Sequence, residues 1–259
     1  MTSTAHSEPL LTVQDLKVYF ELNHYQHHGL RDVFVSAISH PVEYFLKPKE
    51  LFYVLNGVNF SIEKGMRVGI LGVNGSGKTT LCRCIAGMMR PQVGKITTKA
   101  EVRAIFDIGT GIMPELTGRE NALLLARLFF PKVKDIKPLV DESLAFSELG
   151  HFVDVPFKLY SKGMQSRLIL SLISSVPTDI LILDEVFDGA DVFFQKKIAA
   201  RMNSFIQSAG AAIFVSHSDE QIRQVCNKVM VLNEGKVNFF GDVEEGIQRY
   251  LDLNTKKGP

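Results

Sequence analysis

Residues Gly72, Val73, Asn74, Gly75, Ser76, Gly77, Lys78, Thr79 and Thr80 follow one another in the order G-x-x-x-x-G-K-[ST]. The apolar run Arg67 to Leu71 precedes them and the helix-compatible LCRCIAGMM follows. Strand, tight loop and helix in that order can wrap a phosphate. Glycines at 72, 75 and 77 let the backbone approach the anion closely, so that successive N–H groups and the positive end of the next helix face it. Lys78 is long enough to reach β- and γ-phosphate oxygens, and the Thr79 hydroxyl suits Mg²⁺. A site for ATP and Mg²⁺ is the expectation.

The rest of the chain fits an α/β fold. Arg67 to Leu71, Ile180 to Leu183, Ala211 to Val215 and Lys228 to Leu232 read as buried strands between longer helical patterns, which predicts a mainly parallel sheet. Glu234-Gly235 predicts a hairpin turn and hence an antiparallel edge. From about 113 to 175 the strand signal gives way to helical patterns, including Glu120 to Phe130 and Pro138 to Gly150, read as an inserted helical subdomain. Ser218 with Gln221, and Asp242 with Glu245, read as helix caps; Asp191 opens a further helical pattern running to Ala209-Gly210. Residues 21–50 read as a second insertion, with Val33, Phe34, Ala37 and Ile38 at helical spacing, and 241–259 as a C-terminal helix and tail. With 259 residues, 46% of them hydrophobic, the chain can bury a full core as a single domain.

A formal net charge of +1 supplies no general field toward nucleic acid, and no basic stripe is evident. The start MTSTAHSEPL lacks the pattern of a secretory signal, and no apolar run approaches the ~20 residues that span a bilayer, so a soluble chain is expected. Cys82, Cys84 and Cys226 are read as buried free thiols of a reducing cytoplasm. His24, His27 and His28 have no acids or cysteines at ligand spacing and read as part of a solvated loop.

Two further elements complete a nucleotide-hydrolysing pattern. The run DILILDEVFDGAD delivers Asp184 and Glu185 to the carboxyl end of a buried strand, where α/β sheets bind ligands. Asp184 is expected to hold Mg²⁺ through water, and Glu185 to polarise the attacking water as a base whose proton affinity rises with desolvation. His217 follows the strand AAIFVS. It reads either as a donor that senses the γ-phosphate or as an ordinary loop or capping residue.

In that order and spacing these motifs resemble the ATP-binding cassette (ABC) proteins over nearly the whole chain. The segment YSKGMQSRL, Tyr160 to Leu168, stands where the family carries its signature sequence, with Ser161, Lys162, Gly163 and Met164 at its centre. The resemblance implies that Ser161 and Gly163 contact the γ-phosphate bound by an opposite subunit, hence a homodimer with two ATP at its interface. It also places Asp191 at the family's D-loop aspartate, and Phe20, or else Tyr19, at the aromatic that stacks on adenine. The Q-loop glutamine is missing, with Asp107 or Ile108 in its place.

Together with Pro114 to Asn121 (PELTGREN) and DEVFDGAD, this signature is similar to those of the ATPase subunits of bacterial polysaccharide exporters. That implies an ABC-2-type integral membrane permease as partner, a lipid-linked polysaccharide handled mainly by the permease, and a peripheral location on the cytoplasmic face of the inner membrane. The apolar stripe within 21–50 is expected either to meet the permease or to pack on its own domain. A chain ending soon after the helix Val243 to Leu253 is expected to lack an added carbohydrate-binding domain. The alternatives are an ABC ATPase of a lipid or drug exporter, or a soluble one acting on nucleic acid or ribosomes.

Overall fold

A computed structural model describes residues 8–22, 50–106, 111–176, 178–184, 194, 196–198, 200–201, 210–216 and 218–255. Its larger sheet has six strands in the order β5-β6-β7-β3-β8-β9. These are β3 (Arg67–Leu71), β5 (Val102–Ile105), β6 (Ile180–Asp184), β7 (Ala211–Val215), β8 (Lys228–Asn233) and β9 (Lys236–Gly241). Every pairing is parallel except β8 with β9. All residues of β6 and β7 are buried, as in a parallel sheet covered on both faces. Alternation sorts their side chains: Ile180 and Ile182 join one apolar cluster, Leu181 and Leu183 the other.

A second sheet is antiparallel: β1 (Leu11–Leu22) lies between β2 (Glu50–Ile62) and β4 (Val93–Thr98). It packs, with helix α1 (Lys78–Ile85), against the cluster holding Ile70, Ile182 and Met230. The sequence reading did not anticipate this sheet. Its strands also claim Glu21, Leu22 and Glu50, which the reading had assigned to the insertion; residues 23–49 lie outside those described, as do the histidines and apolar stripe within them.

The other cluster is covered by α2 (Gly118–Phe129), α3 (Lys137–Ser147) and α4 (Lys162–Ile173). Thr117 caps α2 with a reciprocal capping box: its side chain accepts from Glu120 N, and Glu120 accepts from Thr117 N. This box sets the helix start two residues before the position expected from periodicity. Asn121 is wholly buried and holds the turn before α2, accepting from Met113 N and donating to the carbonyls of Met113, Leu116 and Thr117. α3 stops at Ser147 because Glu148 turns left-handed at φ 55°, and Gly150–Asp154 forms a separate 3₁₀ turn, so the expected helix to Gly150 is shorter.

Helix α5 (Asp219–Val225) carries the anticipated Ser218 cap, and α6 (Val243–Thr255) starts where Asp242 accepts from Glu244 N and Glu245 N. Glu234 and Gly235 both have positive φ, 49° and 72°, which makes the β8–β9 hairpin turn. Among the described residues no helix is long and apolar enough to cross a membrane.

Candidate active site

The phosphate loop leaves the carboxyl end of β3 and turns directly into α1. Gly77 is the N-cap of α1 with φ 102° and ψ 8°, a conformation that glycine adopts without a Cβ penalty. Space also requires glycine: a methyl group at 77 would lie 2.7 Å from the Val54 carbonyl oxygen, and one at 72 would press on the Leu232 carbonyl oxygen. The loop floor is therefore made by β2 and the β8–β9 hairpin. Gly235 N donates to Ser76 O (3.2 Å), while Asn56 N of β2 donates to Gly235 O (2.8 Å). Leu232, Gly235 and Val54 were not foreseen; the only local sign was the turn Glu234-Gly235.

Lys78 is 7% exposed, and its Nζ donates to the carbonyls of Gly72 (2.7 Å) and Val73 (3.2 Å). The loop's own carbonyls thus fix the ammonium beside its amides. Gly75 has open space around its Cα, and Val73 and Asn74 are partly or fully exposed, so the outer arc of the loop is accessible. Among the described residues the buried Ser76 Oγ has no hydrogen-bond partner. Thr79 and Thr80 lie in the first turn of α1 with partial exposure.

A left-handed glycine before a helix start, a fixed ammonium and an open outer arc fit a phosphate chain, and Thr79 supplies a hydroxyl of the kind Mg²⁺ takes.

Asp184 ends β6 in register with Val215 of β7, and Val215 pairs on its other side with Ile70 of β3. The carboxylate therefore stands one strand from the origin of the phosphate loop. Its charge reaches α1: burial raises the Cys82 thiol far above the ordinary range, Asp184 adds to the rise, and Lys78 opposes it. Cys82, Cys84 and Cys226 are all buried and free. Glu185, Asp191 and His217, and the Q-loop positions Asp107 and Ile108, lie outside the described residues.

Ser161 is the N-cap of α4; its Oγ accepts from Met164 N at 3.2 Å. Ser161 and Lys162 are exposed, Gly163 and Met164 partly so, and the helix N-terminus presents them to solvent. Tyr160 anchors this end by donating its hydroxyl to Phe152 O at 2.6 Å, against Gly118, where any side chain would strike the phenol.

Phe20 lies on β1 opposite Phe52 and is 52% exposed. Two residues earlier, across a shift in the β1–β2 register, Val18 pairs with Leu55, the side chain that closes on Gly77. Tyr19 points to the opposite face, its ring 5.3 Å from that of Tyr53.

The family model for ABC transporters matches residues 55–188. An O-antigen export system ATP-binding protein of Klebsiella pneumoniae is 33% identical over 94% of this chain and 98% of its own length. A teichoic acids export ATP-binding protein of Bacillus anthracis is 36% identical over 81% of this chain, which covers 38% of that longer protein. Among solved structures, an ATP-binding cassette captured as a dimer in a post-hydrolysis state with ADP and phosphate superposes with a TM-score of 0.71. It shares 18% identity, over 90% of this chain and 98% of that one. Motif order, sheet order and full-length similarity agree: the chain belongs to the ABC transporter family, as an ATP-hydrolysing subunit.

Proposed function

We propose that the chain powers an exporter that moves a lipid-linked polysaccharide across the bacterial inner membrane, working as a homodimer on the cytoplasmic face beneath ABC-2-type permease subunits. The observation that carries this reading is the end-to-end similarity to O-antigen export ATP-binding proteins, 33% and 34% identical over nearly their full lengths. Lipid or drug export and action on nucleic acid or ribosomes find no such support among these relatives.

In this reading Gly72 to Thr80 bind the phosphates of ATP through backbone amides, with the Lys78 ammonium on the β- and γ-phosphates. Phe20 stacks on the adenine. Thr79 and Asp184 would hold Mg²⁺, which when bound would supply neutralisation of phosphate charge. Glu185 takes the proton of the attacking water, and His217 donates to the γ-phosphate. Ser161, Lys162, Gly163 and Met164 of one copy face the nucleotide of the other, next to Asp191. The exposed N-terminus of α4 supports that role, because helix amides and positive dipole favour an anion there. Closure on ATP pulls the permease into a second conformation, and hydrolysis resets it.

The test replaces the chromosomal gene with Glu185→Gln and follows surface polymer and copurifying proteins. Expected are retained ATP binding, a stable ATP-bound dimer, a polytopic membrane protein in the pull-down, and polymer accumulating inside the cell. Normal surface polymer, or RNase-sensitive association with ribosomes in place of the membrane protein, would overturn the reading.

A further inference from the structure

The chain re-enters helical conformation after β6, and Phe194, Lys197, Ile198 and Arg201 share one face of that segment at i, i+3, i+4 and i+7. The face docks on α3 and α4. Phe194 is buried, with its ring edge-on to Phe146 of α3 at 6.2 Å and the Arg167 guanidinium of α4 over it at 5.1 Å. Two cations cover the Phe146 ring: Lys197 Nζ at 4.3 Å and the Arg201 guanidinium at 4.1 Å from its centroid.

Both cations are also bonded at their far ends. Lys197 donates to Phe146 O (3.0 Å) and Glu148 (2.5 Å), and Arg201 donates to Glu142 (3.0 Å) and to Ser174 O (3.1 Å). Ser174 is the C-cap of α4, so Arg201 sits at the negative end of the helix whose other end carries Ser161 and Gly163. A guanidinium held over a ring while donating to two oxygens permits little sliding or rotation.

We propose that this clamp makes Phe146 and Arg201 positioning residues for ATP hydrolysis: they fix α4, which carries the signature turn at its N-terminus, against α3 and the helical residues 194, 197 and 201, so that the turn is held in place. The inference rests on the reading that Ser161 and Gly163 complete the site of a second copy. It assigns the α3–α4 pair a task that its apolar packing alone does not supply. Leucine at 146 would keep apolar volume but offer no π-face to either cation.

The full-length protein is assayed for steady-state ATPase activity and for affinity toward a fluorescent ATP analogue. Phe146→Leu should lower kcat at least tenfold with analogue affinity within twofold of wild type, and Phe146→Tyr should recover kcat to within threefold. Arg201→Lys, which keeps the charge and loses the forked donor, should lower kcat at least fivefold. Unchanged kcat in both Phe146→Leu and Arg201→Lys would overturn the clamp, as would a Phe146→Tyr variant no better than Phe146→Leu. Ser161→Ala run alongside separates the two readings. Wild-type activity of that variant removes the composite site itself, whereas its loss beside fully active clamp variants removes only the clamp.

Discussion

Replacing Gly77 and Gly75 singly by alanine should separate two costs that the phosphate loop combines. Both residues have positive φ, 102° and 78°, so an alanine at either meets a backbone penalty of about 1–2 kcal/mol, and the penalty at 77, further outside the left-handed region, is no smaller than that at 75. At Gly75 the new methyl finds nothing within 4 Å. At Gly77 it lies 2.7 Å from Val54 O and 2.8 Å from Leu55 Cδ2, inside van der Waals contact with both. Neither neighbour yields easily, because Val54 O belongs to the backbone of β2 and Leu55 is wholly buried. Overpacking of this kind costs about 1–3 kcal/mol. Gly77→Ala should therefore be less stable than Gly75→Ala by at least that amount, a factor of about 5 to 150 or more in the folding equilibrium. Urea melts of both variants in nucleotide-free buffer, followed by far-ultraviolet circular dichroism, measure the difference. Equal midpoints, or a lower midpoint for Gly75→Ala, would refute the assignment of the loop floor to β2.

Gly118→Ala should drive a methyl group into the Tyr160 phenol, and Tyr160→Phe should cost about 1 kcal/mol through the lost bond to Phe152 O. Because the second change removes the hydroxyl that the new methyl meets most closely, the double variant should be more stable than the sum of the singles by about 1 kcal/mol; strict additivity would contradict the contact. Burial pushes Cys84 up to about 11 and Cys226 up to about 12, from 9.0. The unfolded thiols release their protons first as pH rises, so stability is intact below pH 9 and declines as pH climbs toward the folded values. Cys226→Ala should lose less stability than wild type between pH 8 and 10.5 in urea melts, and equal losses would contradict the burial argument.

The strands Arg67–Leu71, Ile180–Asp184, Ala211–Val215 and Lys228–Asn233 could be read because strands buried on both faces are continuous apolar runs. The antiparallel sheet could not. In β1 the alternation is broken near Asp15, at φ 43°, and β2 shifts register around Gly57. β4 is mostly exposed and carries little apolar pattern. In the site, Gly72 to Thr80 and Asp184 are legible because each role depends on local chain direction: a loop between strand and helix, and a strand end. The floor beneath the loop depends on Leu232, Gly235 and Val54, whose apposition is set by tertiary pairing and leaves no local mark. The end of α3 was missed for a similar reason, since Glu148 takes a left-handed conformation that sequence assigns by default to glycine.

The bond from Gly235 N to Ser76 O also orders events during synthesis. A ribosome makes the phosphate loop early, but the hairpin that supports it emerges only after β6 and β7 have been translated. Until then the loop rests on β2 alone, and the contact that completes its floor is among those of longest sequence separation, which form slowly. Nascent chains that end before residue 235 should thus bind ATP more weakly than the full chain, and nucleotide binding by stalled chains of increasing length checks this.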